Sequence, residues 1–181
     1  MRLPQSFYAR DVRVVARALV GKHLWHGERG GRIVETEAYL GAHDRASHAR
    51  FGPHGRSKPV FGPPGVSYVF LIYGMHECYN IVADLDGNAS AVLIRALEPA
   101  EGTLRCDGPG RLTKALGIGR PMNGLRVFDP ASPIWVEDRG EASPRITTTP
   151  RIGVDYAGAW AKKRYRYVDR DSRALSVRLR P

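Results

Sequence analysis

Cysteine is nearly absent from this 181-residue chain; Cys78 and Cys106 are the only two. They are too few for a disulfide scaffold or a thiolate zinc site, so both are expected as buried, idle thiols. No apolar run approaches the roughly 18 residues of a membrane span. The first twenty residues hold no continuous apolar segment, because Arg10, Asp11, Arg13 and Arg17 interrupt them. A signal peptide is therefore not expected, and the expected setting is the cytosol. The P-loop spacing and the G-x-S-x-G nucleophile elbow are both missing, and GPPG and DGPG are turn signals only. Lysine is confined to Lys22, Lys58, Lys114, Lys162 and Lys163. None lies in an evident apolar pocket that would lower its pKa for Schiff-base chemistry. Heptads, internal repeats and flexible linkers are lacking too, which leaves residues 1–181 as one domain.

What the chain has in excess is positive charge. Lysine and arginine number 28 against 18 acidic residues, a formal net charge of +10. Such an excess points to a polyanionic partner and says nothing about fold. The tail KKRYRYVDRDSRALSVRLR concentrates it in Lys162, Lys163, Arg164, Arg166, Arg170, Arg173, Arg178 and Arg180, against Asp169 and Asp171. Tyr165 and Tyr167 interleave with the cations, a pattern suited to a phosphate backbone. Hydrophobic residues, at 43 %, supply a real core.

Asp11 is placed to cap a helix whose apolar face is Val12, Val15, Ala16 and Leu19, ending at Gly21. HLWHGERGGRIVETEAYL reads as two strands around a Gly-rich turn. Residues 41–66 are a long loop rich in Gly, Pro, His and Arg, with a helical turn at Asp44–Ala49. SYVFLIY and HECYNIVAD form a hairpin, and AVLIRALEP is a further strand. DGPGRLTKALGIG is a turn followed by a short helix. RVFD and IWVED read as strands, RITTTPRIGV as extended chain, YAGAWAKK as a helical turn and RYRYV as a last strand. Helices and strands do not alternate as βαβ units, so a mixed, mainly antiparallel α+β fold is expected.

Two groupings could carry chemistry. As a strand, RIVETEAYLG puts Ile33, Glu35, Glu37 and Tyr39 on one face and Val34, Thr36, Ala38 and Leu40 on the other. Two carboxylates and a tyrosine then share a face just before the long loop, either as a solvent-facing edge or as a pocket floor with a carboxylate base. The hairpin is expected to turn at Gly74-Met75 and to project Tyr73 and Met75 from its tip. Aromatic and apolar wedges on a protruding element are what minor-groove proteins use to unstack a duplex; packing against the body of the fold is the alternative. His43 and His48, with Asp44, suggest a metal, but their i, i+5 spacing does not share a helical face, and no metal is assigned.

RIVETEAYLG, the spaced His48, YVFLIYGMHECYN, AVLIRALEP, DGPGRLTKALGI and RIGVDYAGAWAKKRYRYV together resemble the mammalian-type alkyladenine (3-methyladenine) DNA glycosylase family. The resemblance runs from about residue 4 to the end, in order and with similar spacings, and without the long N-terminal extension of some members it suggests a catalytic core alone. It implies a single α+β domain with a curved, mainly antiparallel sheet, short flanking helices and a protruding hairpin at the DNA-binding face. It implies excision of alkylated or deaminated purines (the 3-methyladenine, 7-methylguanine, hypoxanthine and ethenoadenine class) by base flipping and hydrolysis, with no cofactor, no metal and no covalent intermediate. Double-stranded DNA is the implied partner and a monomer the implied state. The setting is then a bacterial nucleoid, or a nucleus if the source is eukaryotic.

Carried over residue by residue, Glu37 is similar to the family's catalytic base. Tyr39 and His48 look like the residues that sandwich the flipped base, and Asn80 like the asparagine that clashes with the 2-amino group of guanine. Tyr73, with Met75 beside it, looks like the residue inserted in place of the flipped base. Arg95 and the backbone carbonyl of Ile152 look like holders of the catalytic water. Phe70 stands where the family often has a tyrosine: its stacking face is kept and a hydroxyl is lost. His76-Glu77 puts charge near a tip where neutral side chains are expected. Arg50, Arg56, Lys162, Lys163 and Arg164 are assigned to the DNA backbone. The rivals are a non-catalytic nucleic-acid-binding module, a lyase acting through a lysine, and a metal hydrolase.

Overall fold

Local signals set the helices of the computed structural model, which describes residues 1–85 and 87–179. Helix α1 spans Gln5–Tyr8 and α2 Val12–Leu19. The Asp11 side chain accepts from the amide of Arg13 at 2.8 Å, and Val12, Val15, Ala16 and Leu19 are all buried, the i, i+3, i+4, i+7 stripe of an amphipathic helix. Helix α3, Pro109–Leu116, starts with proline at its first position and ends on Gly117 in the left-handed region (φ +68°). The amides of Gly117 and Ile118 return to Lys114 and Thr113 there, a Schellman ending.

Eight strands form one curled antiparallel sheet: β1 His23–His26, β2 Arg29–Tyr39, β3 Ser67–Ile72, β4 His76–Ala83, β5 Ser90–Pro99, β6 Ile134–Glu137, β7 Ile146–Thr149 and β8 Arg166–Asp169. The order is β3-β4-β5-β2-β1-β6, with β8 joining β2 further along and β7 pairing β8. One edge of β2 thus serves β1 with its first residues and β8 with Glu35–Glu37, and the other edge serves β5. The main core lies between the sheet and helices α2 and α3, around Leu19, Ile33, Tyr79, Ile94, Leu97 and Leu116. The α+β, mainly antiparallel expectation holds.

Strict alternation along β2 does not hold. Val34 and Glu35 together face Ala96, and the register, shifted by one at Glu35↔Ala96, shifts back when Arg95 on β5 is passed over before Thr36↔Ile94, a pair of compensating β-bulges. Ile33 therefore joins Ala38 in the main core, while Val34 packs with Ala96, Val168 and Leu175 on the opposite side. Ile33 is not on the face of the two glutamates, and the bulge is the reason. Two other expectations are corrected. RVFD is a turn whose only ladder contact is the Arg126–Val66 bridge. The helical turn expected at Asp44–Ala49 begins instead at His48, as a 3₁₀ helix to Phe51 followed by a second at Gly55–Phe61. Asp44 spends its carboxylate on the loop itself, accepting from the amides of Leu40 and Ala46, which favours a side-chain-closed turn over a helix.

Candidate active site

The bulge delivers both glutamates of β2 to one side, and both are fully buried. Glu35 accepts from Arg95 Nε at 3.0 Å, Arg166 Nε at 2.7 Å, and the amide and hydroxyl of Ser176 at 2.7 Å each. Its lone pairs are filled, as a buried carboxylate requires. Glu37 is held more lightly. It accepts from the Tyr39 hydroxyl at 2.8 Å and the Ile152 amide at 2.8 Å, and Arg95 Nη1 stands 3.5 Å away. Burial, and next the charge of Glu37, raise the Tyr39 phenol well above its ordinary pKa, so it stays a donor. Tyr39, Arg95 and Ile152 all line a cleft of about 640 Å³. The Glu37 carboxylate lies behind them, one hydrogen bond from the cleft.

The other cleft walls come from the long loop, β3 and β4. His48 meets Phe70 edge to face at a centroid distance of 4.4 Å and shares a 2.9 Å hydrogen bond with the Tyr68 hydroxyl. Asn80 sits in the wall with its amide donating to the carbonyls of Tyr68 (3.2 Å) and Cys78 (3.3 Å), which fixes the side chain. At the hairpin tip, the Met75 amide returns to Ile72. Tyr73 and Gly74 both take positive φ, 52° and 69°, the signature of a type I′ turn. Tyr73 also lines the cleft and is 82 % exposed, with Met75 72 % exposed beside it. The tip does not pack on the body. Glu77 turns away to Arg120 at 3.2 Å, and its carbonyl accepts from Thr113 on α3, which accounts for a charge so near the tip.

The sequence profile of the family described as Methylpurine-DNA glycosylase matches residues 6–173. The chain belongs to that family. It is a DNA glycosylase, a hydrolase of base excision repair. Relatives named "Putative 3-methyladenine DNA glycosylase" include one from Anaeromyxobacter dehalogenans, 51 % identical across 95 % of this chain and 84 % of its own length. One from Myxococcus xanthus is 50 % identical, covering 96 % and 93 %, and one from Methanocella arvoryzae 45 %, covering 97 % and 96 %. Within the glycosylase, Tyr39, His48, Phe70, Tyr73, Asn80, Arg95 and Ile152 all reach the same cleft, with Glu37 behind it. Ile152 meets Glu37 through its amide. Among the described residues no helix is long and apolar enough to cross a membrane.

Several neighbours were not foreseen. Arg151 pairs with Asp44 through two bonds of 2.5 and 2.9 Å, both side chains fully buried, and its guanidinium lies 4.7 Å from the Tyr39 ring centre. Asp44 is thereby taken out of any grouping with His43 and His48. Among the described residues no three His, Cys, Asp or Glu side chains form a metal-holding group. Tyr68 was legible in principle, because it shares the period-2 face of Phe70; Cys78, a buried thiol raised to about 11 by desolvation, was not. Lys114 does line the cleft, but from its exposed rim.

The tail divides. Lys162, Lys163 and Arg164 are exposed, as are Arg50 and Arg56 on the loop. Arg166 is buried against Glu35, and Tyr167 belongs to the core, so neither faces a polyanion. Arg180 lies outside the described residues.

Burial, with Arg56 and Arg50 nearby, lowers the His48 pKa to about 4. The ring is neutral at physiological pH and brings no charge into the cleft. An unfolded chain takes up this proton near pH 6.5, so acidification from there to pH 4 favours unfolding. Tm is expected to fall across that interval. His48→Asn should flatten the slope, leaving a remainder from His23, which burial also lowers. An unchanged slope in thermal melts of the variant would remove His48 from the account.

Proposed function

We propose that the protein flips an alkylated or deaminated purine out of duplex DNA into the cleft and hydrolyses its N-glycosidic bond, leaving an abasic site. The 3-methyladenine, 7-methylguanine, hypoxanthine and ethenoadenine class is the substrate range. The observation that carries the reading is the buried Glu37 carboxylate, held by three groups that themselves line an aromatic-walled cleft beneath an exposed tyrosine.

As the glycosidic bond breaks, its electron pair leaves with the base and the sugar becomes oxocarbenium-like. Anionic Glu37 stabilises that cation and takes a proton from water, whose oxygen bonds to the sugar carbon. Water enters where Tyr39, Arg95 and Ile152 meet. A methylated base departs neutral, having begun cationic, and needs no acid. Tyr39, His48 and Phe70 offer ring faces to the flipped base, electron-poor rings stacking best. Asn80, tied to two carbonyls, stands against the 2-amino group of guanine, a clash that penalises ordinary guanine, a poor leaving group, more than cationic 7-methylguanine, whose bond breaks readily. Tyr73 and Met75 fill the gap left in the duplex, at a cost of a few kcal/mol that is lowest for damaged pairs. Arg50, Arg56, Lys162, Lys163 and Arg164 hold phosphates, so binding weakens steeply with salt. The enzyme acts as a monomer in the cytosol, since one lesion needs no symmetry partner.

The test is single-turnover release of base, in EDTA, from duplexes carrying hypoxanthine or ethenoadenine and from methylated DNA, with free base and abasic sites counted separately. Release is expected on at least one lesion, and Tyr73→Ala should slow it by about tenfold or more on paired lesions while sparing single-stranded ones. Tight salt-dependent binding without release of any base would overturn the reading. An equal loss on both strand types would remove the wedge alone.

A further inference from the structure

Among the described residues Arg95 is the one side chain that pairs with both buried glutamates: Nε meets Glu35 at 3.0 Å and Nη1 meets Glu37 at 3.5 Å. Its aim at Glu37 therefore depends on how firmly its other end is held. Ser176 holds that end. Its hydroxyl donates to Glu35 at 2.7 Å and accepts from Arg95 Nε at 3.2 Å, closing a triangle, and its amide takes the second oxygen of Glu35 at 2.7 Å.

The segment that carries Ser176 is seated on both sides. Leu175 packs into the cluster of Val34, Ala96 and Val168, and the Val177 carbonyl accepts from Arg166 at 2.6 Å. Ser176 is only half-buried and lies beyond residues 6–173, the stretch that the family profile matches. It touches neither the cleft nor Glu37.

We propose that Ser176, with Glu35, is a positioning residue for excision: together they fix Arg95 so that its remaining nitrogen serves Glu37. This rests on Glu37 being the base. The charged and titratable groups facing Glu37 are Glu35 and Tyr39 on its own strand, Cys78 on β4, Arg95 on β5, Arg166 on β8, and Arg151 beside Ile152. Without the Ser176 hydroxyl, Glu35 lacks a donor and Arg95 lacks an acceptor. The guanidinium then turns toward Glu35, and Glu37 loses its nearest cation.

The experiment is single-turnover release of 7-methylguanine from duplex DNA at pH 7.5. Ser176→Ala should lower the rate about tenfold, with unchanged binding to a duplex holding an abasic-site analogue. Ser176→Thr, which keeps a hydroxyl, should restore the rate. A wild-type rate in Ser176→Ala, a rate reduced only by the unfolded fraction, or a loss that Ser176→Thr does not restore overturns the proposal. If the alanine variant does not fold, Ser176→Cys is read instead, because a thiol is too weak a donor to replace the hydroxyl; a wild-type rate there counts equally against it. Glu37→Gln is measured alongside. An active Glu37→Gln removes the base assignment itself, whereas an inactive one with a wild-type Ser176→Ala removes only the positioning role.

Discussion

Replacing Glu37 by glutamine should abolish base release while leaving DNA binding intact. The expected loss in single-turnover rate is at least about 10²–10⁴-fold, the worth of a positioned base, and more if the anion also stabilises the sugar cation. The variant should fold. Its amide oxygen can still accept from the Ile152 amide, its NH₂ can donate to the Tyr39 hydroxyl, and Arg95 keeps Glu35 at 3.0 Å. No buried charge is stranded, which separates this change from most removals of a buried carboxylate. A near-normal rate, measured with a binding isotherm on the same duplex, would move catalysis elsewhere in the cleft.

The second large effect is on stability. Asp44→Ala leaves the Arg151 guanidinium buried without its carboxylate, and breaking such a pair typically costs about 3–5 kcal/mol. For a domain of this size each kcal/mol lowers Tm by roughly 2–4 °C, so a fall of about 10 °C is expected. Activity should drop as well at permissive temperature, because the pair ties the start of the long loop to the segment before Ile152 and sets Arg151 over the Tyr39 ring. The double variant Asp44→Ala, Arg151→Met should recover part of the loss, since it strands no charge. Denaturant unfolding of the three proteins decides the matter; a single-variant cost under about 1 kcal/mol would mean that the pair does not lock the loop.

The sequence was most legible where one local rule acts alone. Asp11, the Val12–Leu19 stripe and Gly117 mark helix ends because a cap or a left-handed residue is needed there whatever the tertiary context. Period 2 read the downstream half of β2 correctly, so Glu35, Glu37 and Tyr39 fall on the predicted side. It failed at Ile33 because a bulge adds one residue to the strand, and nothing in the RIVET run itself announces it. Charge counting read the tail only in part. Arg166 and Arg151 are cations bought inward by buried carboxylates, and a partner more than a hundred residues away cannot be seen in composition. Ser176 was invisible for the same reason.

The left-handed tyrosine at the hairpin tip carries one last consequence. Two-residue turns of this form favour asparagine, aspartate or glycine at that position, because a bulky side chain with positive φ is strained. Tyr73 is therefore a poor choice for the free enzyme, and its ring gains nothing from packing while it stands in solvent. Under the proposed function its return comes only on DNA. Selection or design for thermostability alone would trade it for asparagine and count the loss of the wedge as an improvement.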